Sequence, residues 1–407
     1  MSDRPYPSLT VNEKAERALR AGHPWVYAAE CSAPDRPCEN GAIIDVLSRK
    51  GRWLGAGLYN DRSKILVRVL SRNTNDRFDE GFWRRRVQYA VDYRRTVMGP
   101  DFDACRLIFG EADGFPGLTV DRFGDILVTE VLSLGIEQRK DLIYRALVET
   151  LAGLGVTVRA LYERNEAALR EKEGMERTKG PYPLPGLATD LDGHVLLTEN
   201  GIVYDVDYIE GQKTGFFLDQ KYNRRAAAAL APGRRVLDCC THTGAFALNC
   251  AKAGAAHVTA VDVSAQAVAA AKANAERNGL GNVSVVQADV FDLLSGLVRE
   301  KQRPYDFIIL DPPAFTKSSS TVQSAFRGYK EINLRAMKLL PRGGYLATCS
   351  CSHFMTPGLF SKMLREAAWD AQVSLRQIEE RRQAPDHPIL WGVPETEYLK
   401  FFLFQIV

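Results

Sequence analysis

Val236-Leu-Asp-Cys-Cys-Thr-His-Thr-Gly-Ala-Phe246, read together with Ile309-Leu-Asp-Pro-Pro-Ala-Phe315, decides the fold of this chain. The first stretch is a short apolar run that enters a Thr/Gly turn, with Asp238 near its end. The second is another apolar run, ending in Asp311-Pro312-Pro313. In an open parallel sheet, ligands bind outside the carboxyl ends of the strands, so both turns are expected to border one crevice. Working outward, strand-like segments at 235–239, 257–262, 283–288, 306–310 and 344–349 alternate with helical patterns, notably the Ala-rich run 264–278. That alternation predicts a doubly wound α/β sheet for residues 191–407. The apolar Tyr398-Leu-Lys-Phe-Phe-Leu-Phe-Gln-Ile-Val407 is expected to be a long buried strand that finishes it.

Toward the N-terminus the texture changes twice. Residues 1–75 open with an amphipathic helix at 11–21, followed by alternating strands at 42–47, 53–59 and 65–70. Short strands and tight polar turns in so small a unit predict a compact β-barrel. Residues 76–190 begin with a basic helix carrying Arg84-Arg-Arg86 and Arg94-Arg95. A hairpin follows with its turn at Phe123-Gly-Asp125, then a helix at 137–151 and a strand at 159–163. The segment 172–185 is polar, contains Gly and Pro, and is expected to be a loop. Three domains are expected: 1–75, 76–190 and 191–407.

The chain has 407 residues, 45% of them apolar and 25% charged, the balance of an ordinary water-exposed globular protein. No apolar run approaches the roughly 20 residues of a membrane helix, and the opening Met1-Ser-Asp-Arg-Pro-Tyr6 holds no apolar signal core, so a cytoplasmic protein is expected. The eight cysteines include adjacent Cys239-Cys240 and the Cys349-Ser-Cys351 pair, spacings ill-suited to a disulfide framework. A net charge of +3 does not by itself imply a nucleic-acid partner.

A cofactor site is expected along the strand ends. The turn Thr241-His-Thr-Gly244 should let backbone N–H groups approach a ligand closely, with Gly244 removing an obstructing Cβ. Asp262, ending the second strand, is placed to accept from ribose hydroxyls. Asp289, after the third, can accept from an adenine amino group. Dinucleotide enzymes share the ribose acid but carry a G-x-G-x-x-G turn, absent here, so S-adenosylmethionine (SAM) is the expected cofactor. The bland reading of Asp262 and Asp289 is that they cap the following helices. Gly211-Gln-Lys-Thr-Gly-Phe-Phe-Leu-Asp-Gln220 reads as a lid over the cofactor, or as a packed turn with its phenylalanines in the core. The expected contacts are Phe217, Gln220, Asp238, Thr241, Thr243, Gly244, Phe246, Asp262, Asp289, Asp311 and Pro312. His242 is a weaker candidate.

Asp311-Pro312-Pro313 is a rigid turn, because proline fixes φ and withholds its N–H. The motif alone does not choose the atom that reacts. The discriminating feature is Gly343-Gly-Tyr-Leu-Ala-Thr-Cys-Ser-Cys-Ser352, a strand delivering cysteines to the same crevice. Carbon 5 of a pyrimidine is a poor nucleophile until a thiolate adds at carbon 6, whereas amine methylation needs no cysteine. Residue alternation puts Cys349 and Cys351 on one face, and the position nearer the strand end favours Cys351 as nucleophile. Asp311 would then bond the base edge at N3 or the 4-amino group. A metal site at Cys349, Cys351 and His353 lacks the usual spacing, and no metal is expected.

With these motifs in hand, the chain resembles, across its length, the large-subunit ribosomal RNA methyltransferase I family of SAM-dependent 23S rRNA cytosine-5 methyltransferases. The resemblance rests on His23-Pro-Trp25, Phe115-Pro-Gly-Leu-Thr-Val-Asp-Arg122, Gly211–Gln220, Asp311-Pro-Pro-Ala-Phe315 and Cys349-Ser-Cys-Ser352. It implies an N-terminal PUA β-barrel, a small central α+β domain and a C-terminal Rossmann-like class I methyltransferase, with the catalytic Ser-Cys-Ser on Ser350-Cys351-Ser352. One departure stands out: Ala314 occupies the place where general RNA cytosine-5 enzymes carry a second cysteine used in product release.

The partner expected from this resemblance is 23S rRNA, naked or in an assembly intermediate; a homodimer stays open, and no membrane partner is expected. Arg62, Lys64, Arg68, Arg72, Arg84–Arg86 and Arg94-Arg95 are candidates for a phosphate-binding face, or for a solvated one. Two rival functions stay open: methylation of a guanine amino group or of uridine carbon 5, and a non-catalytic RNA-binding role in ribosome assembly.

Overall fold

The computed structural model describes residues 4–316 and 318–407. Chain contacts divide it into two compact units. The first comprises Met1–Val195, Val206–Leu218 and Pro385–Thr396; the second comprises Leu196–Asp205, Asp219–Ala384 and Glu397–Val407. No helix among the described residues is long and apolar enough to cross a membrane, and among them no disulfide joins any of the eight cysteines.

The first unit holds two five-stranded sheets. One is built from Ser8–Val11 (β1), Trp25–Tyr27 (β2), Ile43–Ser48 (β3), Trp53–Tyr59 (β4) and Ile65–Ser71 (β5), in the order β1-β3-β4-β5-β2. Its core gathers Val26, Ile44, Val46 and Val67 with Ala15 and Leu19 of helix α1 (Glu13–Ala21). Asn12 caps that helix through its side chain. Sequence reading missed β1 and β2, which are only four and three residues long.

Helix α2 (Glu80–Met98) leads to the second sheet: Ala104–Phe109 (β6), Leu118–Phe123 (β7), Ile126–Val131 (β8), Ala160–Asn165 (β9) and Thr178–Pro181 (β10). Its order is β10-β9-β8-β7-β6. Between β8 and β9 lie α3 (Leu134–Glu137) and α4 (Lys140–Ala152), and α5 (Leu169–Lys172) follows β9. The segment expected as a loop at 172–185 contains β10, an edge strand paired with β9. Its Gly180 and Pro181 masked it in the sequence, and an edge strand is where proline is tolerated.

The hairpin His194–Glu199 (β11) and Ile202–Asp207 (β12) precedes the second unit's sheet. That sheet contains Arg235–Cys239 (β13), His257–Asp262 (β14), Val283–Gln287 (β15), Phe307–Leu310 (β16), Tyr345–Ser350 (β17), Leu375–Arg381 (β18) and Lys400–Ile406 (β19). Its order is β15-β14-β13-β16-β17-β19-β18. The first five run parallel, as expected. The C-terminal strand departs from expectation: β19 does not finish the sheet but lies antiparallel between β17 and β18.

Helices Lys221–Ala228 (α6), Ala245–Lys252 (α7), Ala265–Arg277 (α8), Val290–Arg299 (α9), Val322–Leu339 (α10) and Pro357–Ala371 (α11) complete the second unit. Side chains alternate across a strand, and here both faces are apolar. Leu237, Ile308, Leu310, Leu346 and Phe402 enter one core, while Val236, Phe307, Ile309, Ala347 and Leu403 enter the other. Each of these side chains larger than alanine contributes roughly 1.5–3 kcal/mol on burial. The doubly covered sheet therefore holds its carboxyl-end turns on a rigid base.

Candidate active site

The carboxyl ends of β13, β14, β16 and β17 bring together Asp238, Thr241, Thr243, Gly244, Asp262, Asp311, Pro312, Cys349 and Cys351 on one edge of the second unit. After β13 the chain turns through three left-handed residues, Cys240 (φ 62°), His242 (φ 52°) and Gly244 (φ 86°). Two non-glycine residues in that region are costly, and such strain gathers at ligand sites. A Cβ on Gly244 would lie 3.2 Å from the Ala271 Cβ, so its bareness also lets the start of α7 pack on α8.

Asp238 is fully buried. Its Oδ2 accepts from the Thr241 hydroxyl at 2.5 Å and from the Ala247 N–H at 3.0 Å, tying the turn to the first turn of α7. Its Oδ1 has no partner among the described residues, and neither does the buried Thr243 hydroxyl. Burial pushes the Asp238 carboxyl up to about 7. The Phe246 ring, expected at the cofactor, belongs to the core and stacks at 6.2 Å on Phe401, which leaves only its backbone for a ligand.

Asp262 accepts from the backbone N–H of His242 (2.9 Å) and of Ser264 (3.0 Å), so it ties the β13 turn to the approach to α8. Asp289 caps α9, accepting from the N–H of Phe291 at 2.7 Å and of Asp292 at 3.1 Å. Asp289 thus performs the capping duty weighed above, whereas α8 is capped by Ser264; Asp289 is solvent-exposed and Asp262 half-buried. Beside Asp262, Val263 is 66% exposed, an apolar surface the sequence reading passed over.

The reacting end is more tightly built. Gln220 is buried; its Nε2 donates to Asp311 Oδ1 at 3.1 Å, and its Oε1 accepts from Asn223 at 2.7 Å. Asn223 was missed in the sequence, although its i+3 spacing on α6 signals a shared face. Burial, then the negative charge of Asp219, pushes the Asp311 carboxyl up to about 6. Cys349 is fully buried, with its thiol in hydrogen-bonding reach of Gln220 and Asp311. Burial and the Asp311 carboxylate push that thiol well up. Cys351 lies one residue beyond the end of β17 and is half-buried. Ser352 is anchored through its hydroxyl to the Thr316 carbonyl at 2.8 Å. Among the described residues no cluster of His, Cys, Asp or Glu is arranged to hold a metal ion.

Phe217 falls in the first unit, with the Lys213 ammonium 4.6 Å from its ring centre. The segment 211–220 is a packed turn: Thr214, Phe216, Leu218, Asp219 and Gln220 are all buried, and Thr214 donates to Asp121 at 2.5 Å. Several basic residues expected on a phosphate-binding face are already neutralised within the first unit. Arg68 is buried against Glu173 at 2.8 Å, and Arg94 against Asp113 at 2.5 Å. Arg84 is bonded to both Glu80 and Glu149. Arg72 and Arg86 differ: they line a cavity of about 450 Å³ with Tyr89, Tyr93 and Glu111, and the Arg86 guanidinium donates to the carbonyls of Leu70 and Gly114.

Comparison with known proteins gives a consistent picture. Residues 188–405 match the family model described as S-adenosylmethionine-dependent methyltransferase, and residues 9–72 match that of a PUA-like domain. The chain is 38% identical over 411 residues, covering 100% of both chains, to ribosomal RNA large subunit methyltransferase I of Klebsiella pneumoniae (strain 342). It is 38% identical over 403 residues to the protein of that name from Escherichia coli O1:K1 / APEC, covering 98% of this chain and 99% of that one. A solved SAM-dependent methyltransferase from Streptococcus mutans superposes with TM-score 0.81 at 24% identity, over 98% of this chain and 99% of that one. The methyltransferase SMU.776, solved with SAH, gives TM-score 0.82 at 23% identity and the same coverage. At these identities the two structures establish the fold.

Proposed function

The chain belongs to the ribosomal RNA large subunit methyltransferase I family and is a SAM-dependent methyltransferase; from that premise we propose that it methylates carbon 5 of a cytosine in 23S rRNA, with Cys351 as the nucleophile that adds to carbon 6. The observation that carries this reading is the placement of the two cysteines. Cys349 is sealed in the core against a carboxylate that disfavours its thiolate, while Cys351 stands half-exposed where the strand ends. An amine methyltransferase has no use for a thiol there.

The residues fit the cofactor. Unpartnered Asp238 Oδ1 and Thr243 Oγ1 offer an acceptor and a hydroxyl beside the left-handed turn. Asp262 and Asp289 keep lone pairs beyond their bonds to backbone N–H groups for ribose hydroxyls and an adenine amino group. Val263 gives the adenine an apolar face. Thr241, Gly244 and the backbone of Phe246 shape the same turn, and Gln220, Asp311 and Pro312 border the reacting end. Bound SAM supplies an electrophilic sulfonium methyl.

The chain's own groups prepare the base. The Cys351 thiolate forms a bond to carbon 6, and the electron pair of the 5,6 double bond is displaced, leaving carbon 5 nucleophilic. Charge that develops on the ring raises the basicity of N3. A carboxyl held at about 6 can carry a proton near neutral pH, so Asp311 donates to N3 as that charge appears. Gln220 fixes the direction of the carboxyl. Once carbon 5 is methylated, loss of its proton to a base re-forms the 5,6 double bond and expels the Cys351 thiolate from carbon 6.

The three-part division at 75/76 and 190/191 is kept within this reading, with the N-terminal PUA-like segment and the Arg72–Arg86 cavity engaging RNA backbone. The experiment is bisulfite sequencing of unmethylated 23S rRNA incubated with the protein and SAM. One newly protected cytosine supports the proposal. Methyl transfer with no protected cytosine would replace it with a guanine or uridine reaction, and no transfer at all with a binding role.

A further inference from the structure

The strand Tyr398-Leu-Lys-Phe-Phe-Leu-Phe404 contains one charge in an apolar run, and that charge is buried. Lys400 stands opposite Ser350 in the antiparallel pairing of β17 and β19. It is 1% exposed. Its Nζ donates to the carbonyl of Ser352 at 2.6 Å and to that of Tyr398 at 2.7 Å. A side chain that starts opposite residue 350 and ends on the carbonyl of residue 352 carries its ammonium alongside residue 351.

Two carbonyls occupy two of the three ammonium donors. Among the described residues no carboxylate lies within ion-pair distance of Nζ, and the acid three positions before it, Glu397, is held by Arg382 at 2.5 Å. Burying an ammonium without an anion is costly. The lysine is accordingly pulled down to about 8 by burial, which leaves it mostly charged at neutral pH. Of the charges that oppose this, Cys351 acts most strongly and Glu397 next, with Arg382 acting the other way. Cys351 in turn faces Tyr329 of α10, whose phenol burial keeps un-ionised, and Cys349 of β17.

We propose that Lys400 is the positioning residue that selects the nucleophile: its ammonium is the counter-ion of the Cys351 thiolate. A neighbouring lysine favours the ionised thiol, whereas Cys349 faces the Asp311 carboxylate. The thiol proton passes to solvent on ionisation, and the ammonium keeps its own. The proposal rests on Cys351 being the nucleophile of the reading above, and it is tested without RNA.

The test is the pH dependence of iodoacetamide alkylation at Cys351, mapped by mass spectrometry, in the full-length wild type, Lys400→Arg and Lys400→Met. The wild-type midpoint is expected below the ordinary thiol value of about 8.5. Lys400→Met should raise it by at least about one pH unit, slowing alkylation at pH 7 about tenfold. Lys400→Arg should stay near wild type, with SAM affinity and melting temperature reporting the fold of each variant. An unchanged midpoint in a folded Lys400→Met would overturn the proposal. So would a wild-type midpoint at or above 8.5, which needs no variant. The expected profiles combined with no methylated cytosine would overturn the proposed reaction and leave the Lys400–Cys351 pairing standing.

Discussion

Gln220 donates its side-chain N–H to Asp311 Oδ1 at 3.1 Å, joining the end of the packed segment 211–220 to the Asp-Pro-Pro turn. A donor to a carboxylate favours its ionised form, so Gln220 restrains the rise that burial and Asp219 impose on Asp311.

Removing that donor in Gln220→Ala should therefore push the Asp311 carboxyl further up. The proposed chemistry needs Cys351 ionised and Asp311 protonated, which makes the rate–pH profile bell-shaped. Because Asp311 at about 6 lies below the thiol, the acid-side break of the bell reports Asp311; it should move to higher pH by about half a unit or more, while the maximum rate falls about tenfold through lost orientation. A break that stays in place would remove Asp311 from the role of proton donor.

Asp238 provides a stability test. Its folded carboxyl is held at about 7 against the ordinary 3.8, chiefly by burial. The folded state thus keeps a proton that the unfolded chain gives up. The stability this contributes is full below pH 4 and is lost as pH rises through about 7. Asp238→Asn keeps an acceptor for Thr241 and Ala247 and never ionises. It should match the wild type near pH 4 and exceed it at pH 8 by one to about 4 kcal/mol. Denaturation curves that run parallel across this window would show that Asp238 does not titrate there.

The two classes of arginine should separate in RNA binding. Arg72→Ala is expected to weaken binding of a 23S rRNA transcript and to lower the salt dependence by about one phosphate contact. Arg84→Ala should change neither, because Glu80 and Glu149 already hold its guanidinium. Equal effects from both would mean that the cavity has no privileged contact with the RNA.

Strand positions in the second unit were legible because the strands are buried on both faces and read as apolar runs: 235–239 and 257–262 agree to the residue with β13 and β14. Ser264 and Asn278 likewise bracketed α8, one accepting at its first turn and the other closing its end. The short edge strands β1, β2 and β10 were not legible, since edges owe their form to the neighbour they pair with. The insertion of β19 between β17 and β18 is equally a matter of register, which an apolar run leaves open. In the site, the acids at the strand ends could be located, but not their partners. Glu173 neutralises Arg68 from 105 positions away, which composition near Arg68 cannot reveal. The need for glycine at 244 was visible, but not its contact with Ala271 of the neighbouring helix.

The central claim, addition of Cys351 to a cytosine, is tested most directly by trapping. A 23S rRNA transcript carrying 5-fluorocytidine should, with SAM present, form a denaturation-resistant complex with the protein, because fluorine blocks loss of the carbon-5 substituent. The account predicts one cross-linked peptide, containing Cys351, and no complex from Cys351→Ala, which should still bind SAM. A complex joined through Cys349, or methyl transfer to ordinary rRNA with no trapped complex, would contradict it.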